Sequence, residues 1–447
     1  MSRPNSLPDT GIPLSVAGMA SSRRTFLRGS LAGAALVGSS SLLAACGDDA
    51  DSGAGATADA SKPVKFGMNE ASGAGPAYER LANMAAAYAT TAGVEVDRNE
   101  VDHNTFQENI NTYLQGNPDD VFTWFAGFRM NQFAEQGLIT DVSDIWPIDG
   151  LNESFKTAST ASDGKQYFVP KDYYPWAVFY KKSVFEQNGY EVPVNLEELT
   201  TLMTKMQGND MVPFAFADKD GWPAMGTFDI LNMRINGFDY HMSLMAGEEA
   251  WDSAEVKQVF DTWKGLLPYH QPDALGRTWQ EAATSLSKGE AGMYLLGTFV
   301  VDAIPDDEQD LDFFTFPELD SSVGADALDA PIDGFCLAAS GSNEAGAKEM
   351  MKWLGSADAA NAANEGTTPM IAANEGADTA GYSDLQKKSA EVVGSAKNIA
   401  QFLDRDTRSD FASTVIIPSL QKFLSDPADI DGVTKSIQEQ KVSIFGS

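Results

Sequence analysis

From Val64 onward, short apolar runs alternate with longer stretches whose apolar positions recur every three or four residues. Residues 64–68 read as a strand and 76–91 as a helix, with Pro76 in its first turn and Gly93 just past its end. A strand over 94–101, a helix over 105–115 and a strand over 120–126 follow. Strands and helices in strict alternation build βαβ units and predict a mainly parallel sheet covered by helices. The pattern resumes with strands at 177–181, 212–217, 291–296 and 313–316, separated by helical stretches such as 196–206 and 256–266. Helices dominate the tail, at 345–354, 384–393, 410–424 and 431–439, and no internal repeat of fixed period is present.

Residues 63–447 exceed what one hydrophobic core usually spans, so two lobes are expected. Ahead of them the pattern changes. Ser22-Arg23-Arg24-Thr25-Phe26-Leu27-Arg28 precedes an uncharged stretch to Ala45 that is too short and too weakly apolar for a membrane span, the form of a twin-arginine export signal. It ends in Leu43-Ala44-Ala45-Cys46, which resembles a lipobox, so residues 1–45 are expected to be removed and Cys46 to carry a lipid anchor to the outer face of a membrane. Residues 46–62, rich in Gly, Ala, Asp and Ser, read as a flexible tether. Cys336 is the one other cysteine, so stability is expected to come from packing rather than an internal disulfide.

Removing residues 1–45 takes away Arg3, Arg23, Arg24, Arg28 and Asp9 and leaves 27 bases against 63 acids, a formal net charge of −36. Such a field repels phosphate backbones, which excludes nucleic acid as a partner; the acidity itself reads as a solubilising surface. His103, His241 and His270 lie far apart without metal-ligand spacing and read as surface or packing residues; no metal or cofactor is expected. Nucleophile elbow and P-loop patterns are missing, and no acid stands in a setting that would raise its pKa, so the chain does not read as an enzyme. Gly73-Ala74-Gly75-Pro76 reads as a turn whose helix N-terminus could donate N–H groups to a ligand oxygen.

The strongest local anomaly is aromatic: seven of the fourteen residues from Tyr167 to Tyr180 are rings, against 10% in the whole chain. Pro170, Lys171, Asp172 and Pro175 are interleaved with them, unlike a simple core strand. Rings beside carboxylates suit a sugar, whose C–H face stacks while its hydroxyls hydrogen-bond at the rim. Phe168, Phe179 and Tyr180 are read as core, and Asp172, Tyr174 and Trp176 as ligand contacts.

With these segments in view, the chain resembles the extracellular sugar-binding proteins of ABC importers, the family 1 group that includes the maltose-binding protein. The resemblance rests on TFQENINTYLQGNPDDVFTWFA at 105–126, GKQYFVP at 164–170 followed by Tyr180-Lys181-Lys182, the segment 185–199, SLSKGEAGMYLLGTF ending at Phe299, and the stretches 331–340 and 345–354. It departs where Phe299 stands in place of a common tryptophan platform, and where Ser285 or Leu286 stands in place of a phenylalanine. The family implies an α/β, two-lobed periplasmic-binding-protein fold of type II with three hinge crossings, near 172–175, 330–334 and 398–405. Lobe 1 would comprise 63–172 plus 332–400, and lobe 2 would comprise 173–331 plus 401–447.

A ligand between such lobes makes candidates of Glu70 and Ser72 after the first strand, Asn104 as a helix cap, Trp124 ending the third strand, and Trp222 in a turn. Gly297 and Thr298 join them beside Phe299, with Asp333 at the second crossing and Arg405 with Asp406 at the third. The implied protein is a monomer that hands a mono- or oligosaccharide to ABC permease subunits. The alternatives are a polyamine or osmolyte binder of the same transport class and a surface glycoside hydrolase.

Overall fold

A computed structural model describes residues 62–446. The export signal, Cys46 and the tether up to residue 61 lie outside the described residues. Twelve strands follow in chain order: β1 (Val64–Met68), β2 (Val96–Glu100), β3 (Val121–Phe125), β4 (Val169–Tyr173), β5 (Trp176–Lys181), β6 (Val212–Ala215), β7 (Ala291–Gly297), β8 (Leu311–Phe314), β9 (Ala327–Asp329), β10 (Ile332–Leu337), β11 (Ile371–Ala372) and β12 (Asn398–Ala400). They form a six-stranded sheet in the order β11-β4-β10-β3-β1-β2, a four-stranded sheet β6-β7-β5-β8, and a strip of β12 beside β9. The mixed α/β architecture matches the expected class.

The expected mainly parallel sheet is corrected. Pairings β1–β2 and β1–β3 are parallel, but β10 is antiparallel to both β3 and β4, and β11 is antiparallel to β4. In the second sheet β5 is antiparallel to β7 and to β8, and only β6–β7 is parallel. The reason lies in the crossings. Strands β3 and β4 both end at the boundary between the sheets, whereas β10 begins there after the chain returns from the second sheet, so it must run back against them.

The apolar spacing translates directly into layers. Strands β1 and β3 are covered on both faces: Phe66, Phe335 and Leu337 join the core beneath the Pro76–Ala92 helix, and Phe122, Trp124 and Cys336 join the core beneath the His103–Gln115 helix. Polar β2 forms the sheet edge. The second sheet packs its own core around Phe228, Trp251, Phe260 and Trp263. The chain passes between the sheets at Tyr174-Pro175, at Ala330-Pro331 and through the residues that follow β12.

Two helix expectations change. The helix expected from 105 starts at His103, because Asp102, not Asn104, caps it, its carboxylate accepting from the Thr105 N–H at 3.1 Å. Asn104 therefore does not cap the helix, and its side chain turns instead to Asp220, Nδ2 donating to Oδ1 at 3.2 Å. The single tail helix expected over 410–424 is instead Ser409–Phe411, a π turn at Ala412–Ile416 and Ile417–Ser425. Pro418 has no N–H to give and its ring crowds the carbonyl four residues back, which a widened turn relieves.

Candidate functional site

The strand ends that meet at the crossings bring their side chains to one place. Asp333 at the start of β10 sits across from Phe125 on one side and Asp172 on the other, and Trp176 at the start of β5 sits across from Gly297 at the end of β7. Between the two sheets lies a cavity of about 510 Å³, within the usual range of small-molecule sites. Of the residues expected in the site, Glu70, Asn104, Trp124, Asp172, Tyr174, Trp176, Trp222, Phe299, Asp333 and Arg405 line it.

The side facing the second sheet is aromatic. Phe299 is its hub: its centroid lies 5.3 Å from Tyr174, 5.3 Å from Trp279, 5.9 Å from Trp222 and 6.1 Å from Trp176. Trp222, Trp279 and Phe299 are half-buried and present ring surface, whereas Tyr174 and Trp176 are buried behind them. Gly297 contributes room rather than a contact, since a Cβ there would fall 2.3 Å from a Phe299 ring carbon. Sequence spacing gave Trp279 no prominence, because it opens a helix under an ordinary Thr278–Glu281 capping box.

The opposite side is polar. The Glu70 carboxylate lies 3.0 Å from His103 Nδ1, and Asn69 Nδ2 lies 3.4 Å from the same nitrogen. Burial alone would lower the His103 pKa, but the bond to Glu70 and the charges of Glu70 and Asp333 raise it above the usual value. His103, read from the sequence as surface or packing, thus belongs to the cavity wall. Its signal, a histidine in the first turn of a helix that follows an edge strand, was too common to single it out.

Asp172 is 4% exposed; its Oδ2 lies 2.6 Å from Lys171 Nζ while its buried Oδ1 has no partner. Burial pushes its pKa up, with Lys171 pulling the other way. Arg405 donates to Asp333 Oδ1 at 2.8 Å and to the Tyr174 hydroxyl at 3.2 Å, and its guanidinium lies 4.1 Å from the Phe125 ring centroid. Its two amino groups are therefore engaged within the protein, where they fix the orientation of Asp333.

Four expected residues are not among those lining the cavity. Ser72 is exposed on the turn before the Pro76–Ala92 helix. Gly297 supports Phe299 from behind, and Thr298 is buried 3.5 Å from the Ser389 hydroxyl. Asp406 accepts from the N–H groups of Gln401 at 2.7 Å and Phe402 at 3.2 Å, so it holds the third crossing. Trp124, though it borders the cavity, is 1% exposed, with Arg129 stacked on it at 4.6 Å.

The sequence expectation that no acid has a raised pKa is also corrected: burial pushes Asp218 up to about 7 and Asp406 up to about 6. Tertiary packing, invisible in local sequence, removes water from them. Among the described residues, no cluster of three or more potential metal ligands converges, and no helix is long and apolar enough to cross a membrane.

Residues 83–392 match the family described as bacterial extracellular solute-binding protein. An ABC transporter extracellular-binding protein of Pyrococcus horikoshii is 24% identical over 335 residues, 73% of this chain and 74% of that protein. A probable sugar-binding periplasmic protein of Mesorhizobium japonicum is 21% identical over 178 residues, 38% of this chain and 42% of that protein. Among solved structures, the bacterial solute receptor AcbH, described as exclusively preferring β-D-galactopyranose, superposes with a TM-score of 0.83 at 44% identity, covering 86% of this chain and 100% of that one. A chitin oligosaccharide binding protein shares the fold with a TM-score of 0.74 at 22% identity, covering 84% and 98%.

Proposed function

This chain belongs to the bacterial extracellular solute-binding proteins, and from that premise we propose that it is the sugar receptor of an ABC importer, binding an uncharged hexopyranose between its two lobes. The observation that carries the reading is the opposition of two unlike walls across one cavity. Half-buried Trp222, Trp279 and Phe299 face Glu70, Asn104, Asp172 and Asp333. Rings take the C–H face of a pyranose, while carboxylates and an amide take its hydroxyls. The partnerless Asp172 Oδ1 is a buried acceptor that a sugar hydroxyl would satisfy. Likeness to a galactopyranose receptor at 44% identity supports a monosaccharide of that class.

In this reading Glu70, Asn104, Asp172, Trp222, Trp279, Phe299 and Asp333 touch the ligand, and Arg405, Tyr174 and Trp176 hold those groups in place. Lobe 1 takes 63–172 plus 332–400 and lobe 2 takes 173–331 plus 401–447. An open form gives way to a closed one because ligand contacts from both lobes exist together only when closed. The closed receptor, a monomer anchored through lipid on Cys46 after twin-arginine export, delivers its sugar to a permease in the same membrane; it performs no catalysis. Fluorescence titration of the mature protein, following its eight tryptophans, should saturate with galactose or a related hexose. Silence across monosaccharides and oligosaccharides overturns the reading.

A further inference from the structure

Arg80 and Asp302 face each other across the boundary between the lobes. Arg80 lies on the Pro76–Ala92 helix that follows β1, and Asp302 on the short Val300–Ala303 helix that follows β7 and Phe299. Their contact is a fork: Nη2 to Oδ2 at 2.8 Å and Nη1 to Oδ1 at 3.2 Å, with Nη1 also donating to the Thr368 carbonyl at 2.9 Å. Both side chains are more than nine-tenths buried, at 5% and 9% exposure, and both line the cavity. A second bond joins the lobes elsewhere, from Asn104 Nδ2 to Asp220 Oδ1 at 3.2 Å.

We propose that the Arg80–Asp302 pair is an interlobe fastener that sets how long the closed receptor retains its sugar, a role separate from contact with the ring-lined wall. It rests on the sugar-receptor reading above. The physics differs from that of a surface ion pair, which is worth little because water competes for both charges. Here the pair is almost dry, bidentate and carried by helices that follow strands of the two different sheets, so it exists only while the lobes are together. Opening returns both charges to water, which offsets much of the attraction; the pair therefore need not hold the empty protein shut. Loss of one partner is different, because closure must then bury a lone charge. Removing both charges with apolar side chains of similar size removes that penalty.

The test is a double-mutant cycle on release rate. Stopped-flow displacement of bound galactose or the hexose found by titration should show Asp302→Asn releasing roughly ten- to hundredfold faster than wild type, the scale expected of a broken buried pair partly compensated by hydration. The Arg80→Met/Asp302→Leu double variant should return to within about threefold of wild type. Additive losses in the double variant, or an Asp302→Asn release rate equal to wild type, overturn the fastener. Small-angle scattering on the sugar-bound proteins gives an independent readout: Asp302→Asn should be more expanded than wild type at equal saturation, and equal dimensions count against the proposal. A wild-type protein that binds no sugar instead defeats the receptor reading on which the fastener rests.

Discussion

The ring of Phe402 packs 4.8 Å from that of Trp176, tying the third crossing to the start of β5, and it does so from a backbone φ of 145° that residues with a Cβ rarely adopt. Three consecutive N–H groups are held around it. Asp406 takes those of Gln401 and Phe402, and Asp229 Oδ2 takes that of Leu403 at 2.6 Å. The crossing thus holds a strained residue by carboxylates and spends the strain on placing a ring beneath the cavity wall.

This geometry reverses an ordinary order of stability. Phe402→Ala should destabilise the fold by about 3–5 kcal/mol through lost packing while keeping the strain. Phe402→Gly loses the same ring but adopts positive φ freely, which should make it more stable than the alanine variant by about 1 kcal/mol. Urea unfolding of the two variants measures the difference, and an alanine variant equal to or above the glycine variant would refute strain at this position.

Trp279→Ala should weaken sugar binding by roughly 2 kcal/mol, about thirtyfold in Kd, the cost typical of a tryptophan anchor. Because Trp279 is half-buried at a helix start, the melting temperature should change little. Isothermal titration on a variant of unchanged melting temperature decides it; unchanged affinity removes Trp279 from the binding wall.

Stability should depend on pH through Asp218. It is fully buried, its Oδ1 accepts from the Ala224 N–H at 2.8 Å, its Oδ2 has no partner, and its pKa is pushed up to about 7. A folded value above the unfolded value of roughly 3.9 means the contribution is complete below about pH 4 and is lost as pH rises through 7. Burial acts oppositely on His241 and His270, lowered to about 3 and about 4, whose contributions are present above about pH 6.5 and lost on acidification. Comparison with Asp218→Asn isolates the first effect. The variant's stability relative to wild type should climb between pH 4 and 8 by on the order of 4 kcal/mol, and a difference independent of pH in urea titrations would rule the shift out.

On the proposed lipid anchor, Cys46→Ser should release the exported protein from the membrane without altering its sugar affinity, because Cys46 lies 18 positions ahead of Val64, the first residue of β1. Replacing Arg23 and Arg24 by lysine should hold the protein inside the cell. Fractionation followed by immunoblotting distinguishes the two outcomes, and membrane retention of the serine variant would exclude Cys46 as the anchor.

Local pattern determined a great deal by itself. Short, largely apolar runs bounded by turn residues pointed to β1, β3 and β7, since such runs are typical of strands covered on both faces. The crowding of rings between Tyr167 and Tyr180 pointed to the segment that makes the first crossing. Tertiary structure alone decided strand direction, because which end of the sheet a returning strand enters depends on a crossing that strand residues do not encode. It decided, too, that Arg405 turns to Asp333 and Tyr174, that His103 meets Glu70, and that Arg80 meets Asp302. Short-range spacing records propensity and burial, which each residue carries with it, whereas a pairing between side chains far apart in the chain arises only when packing brings them together and excludes water.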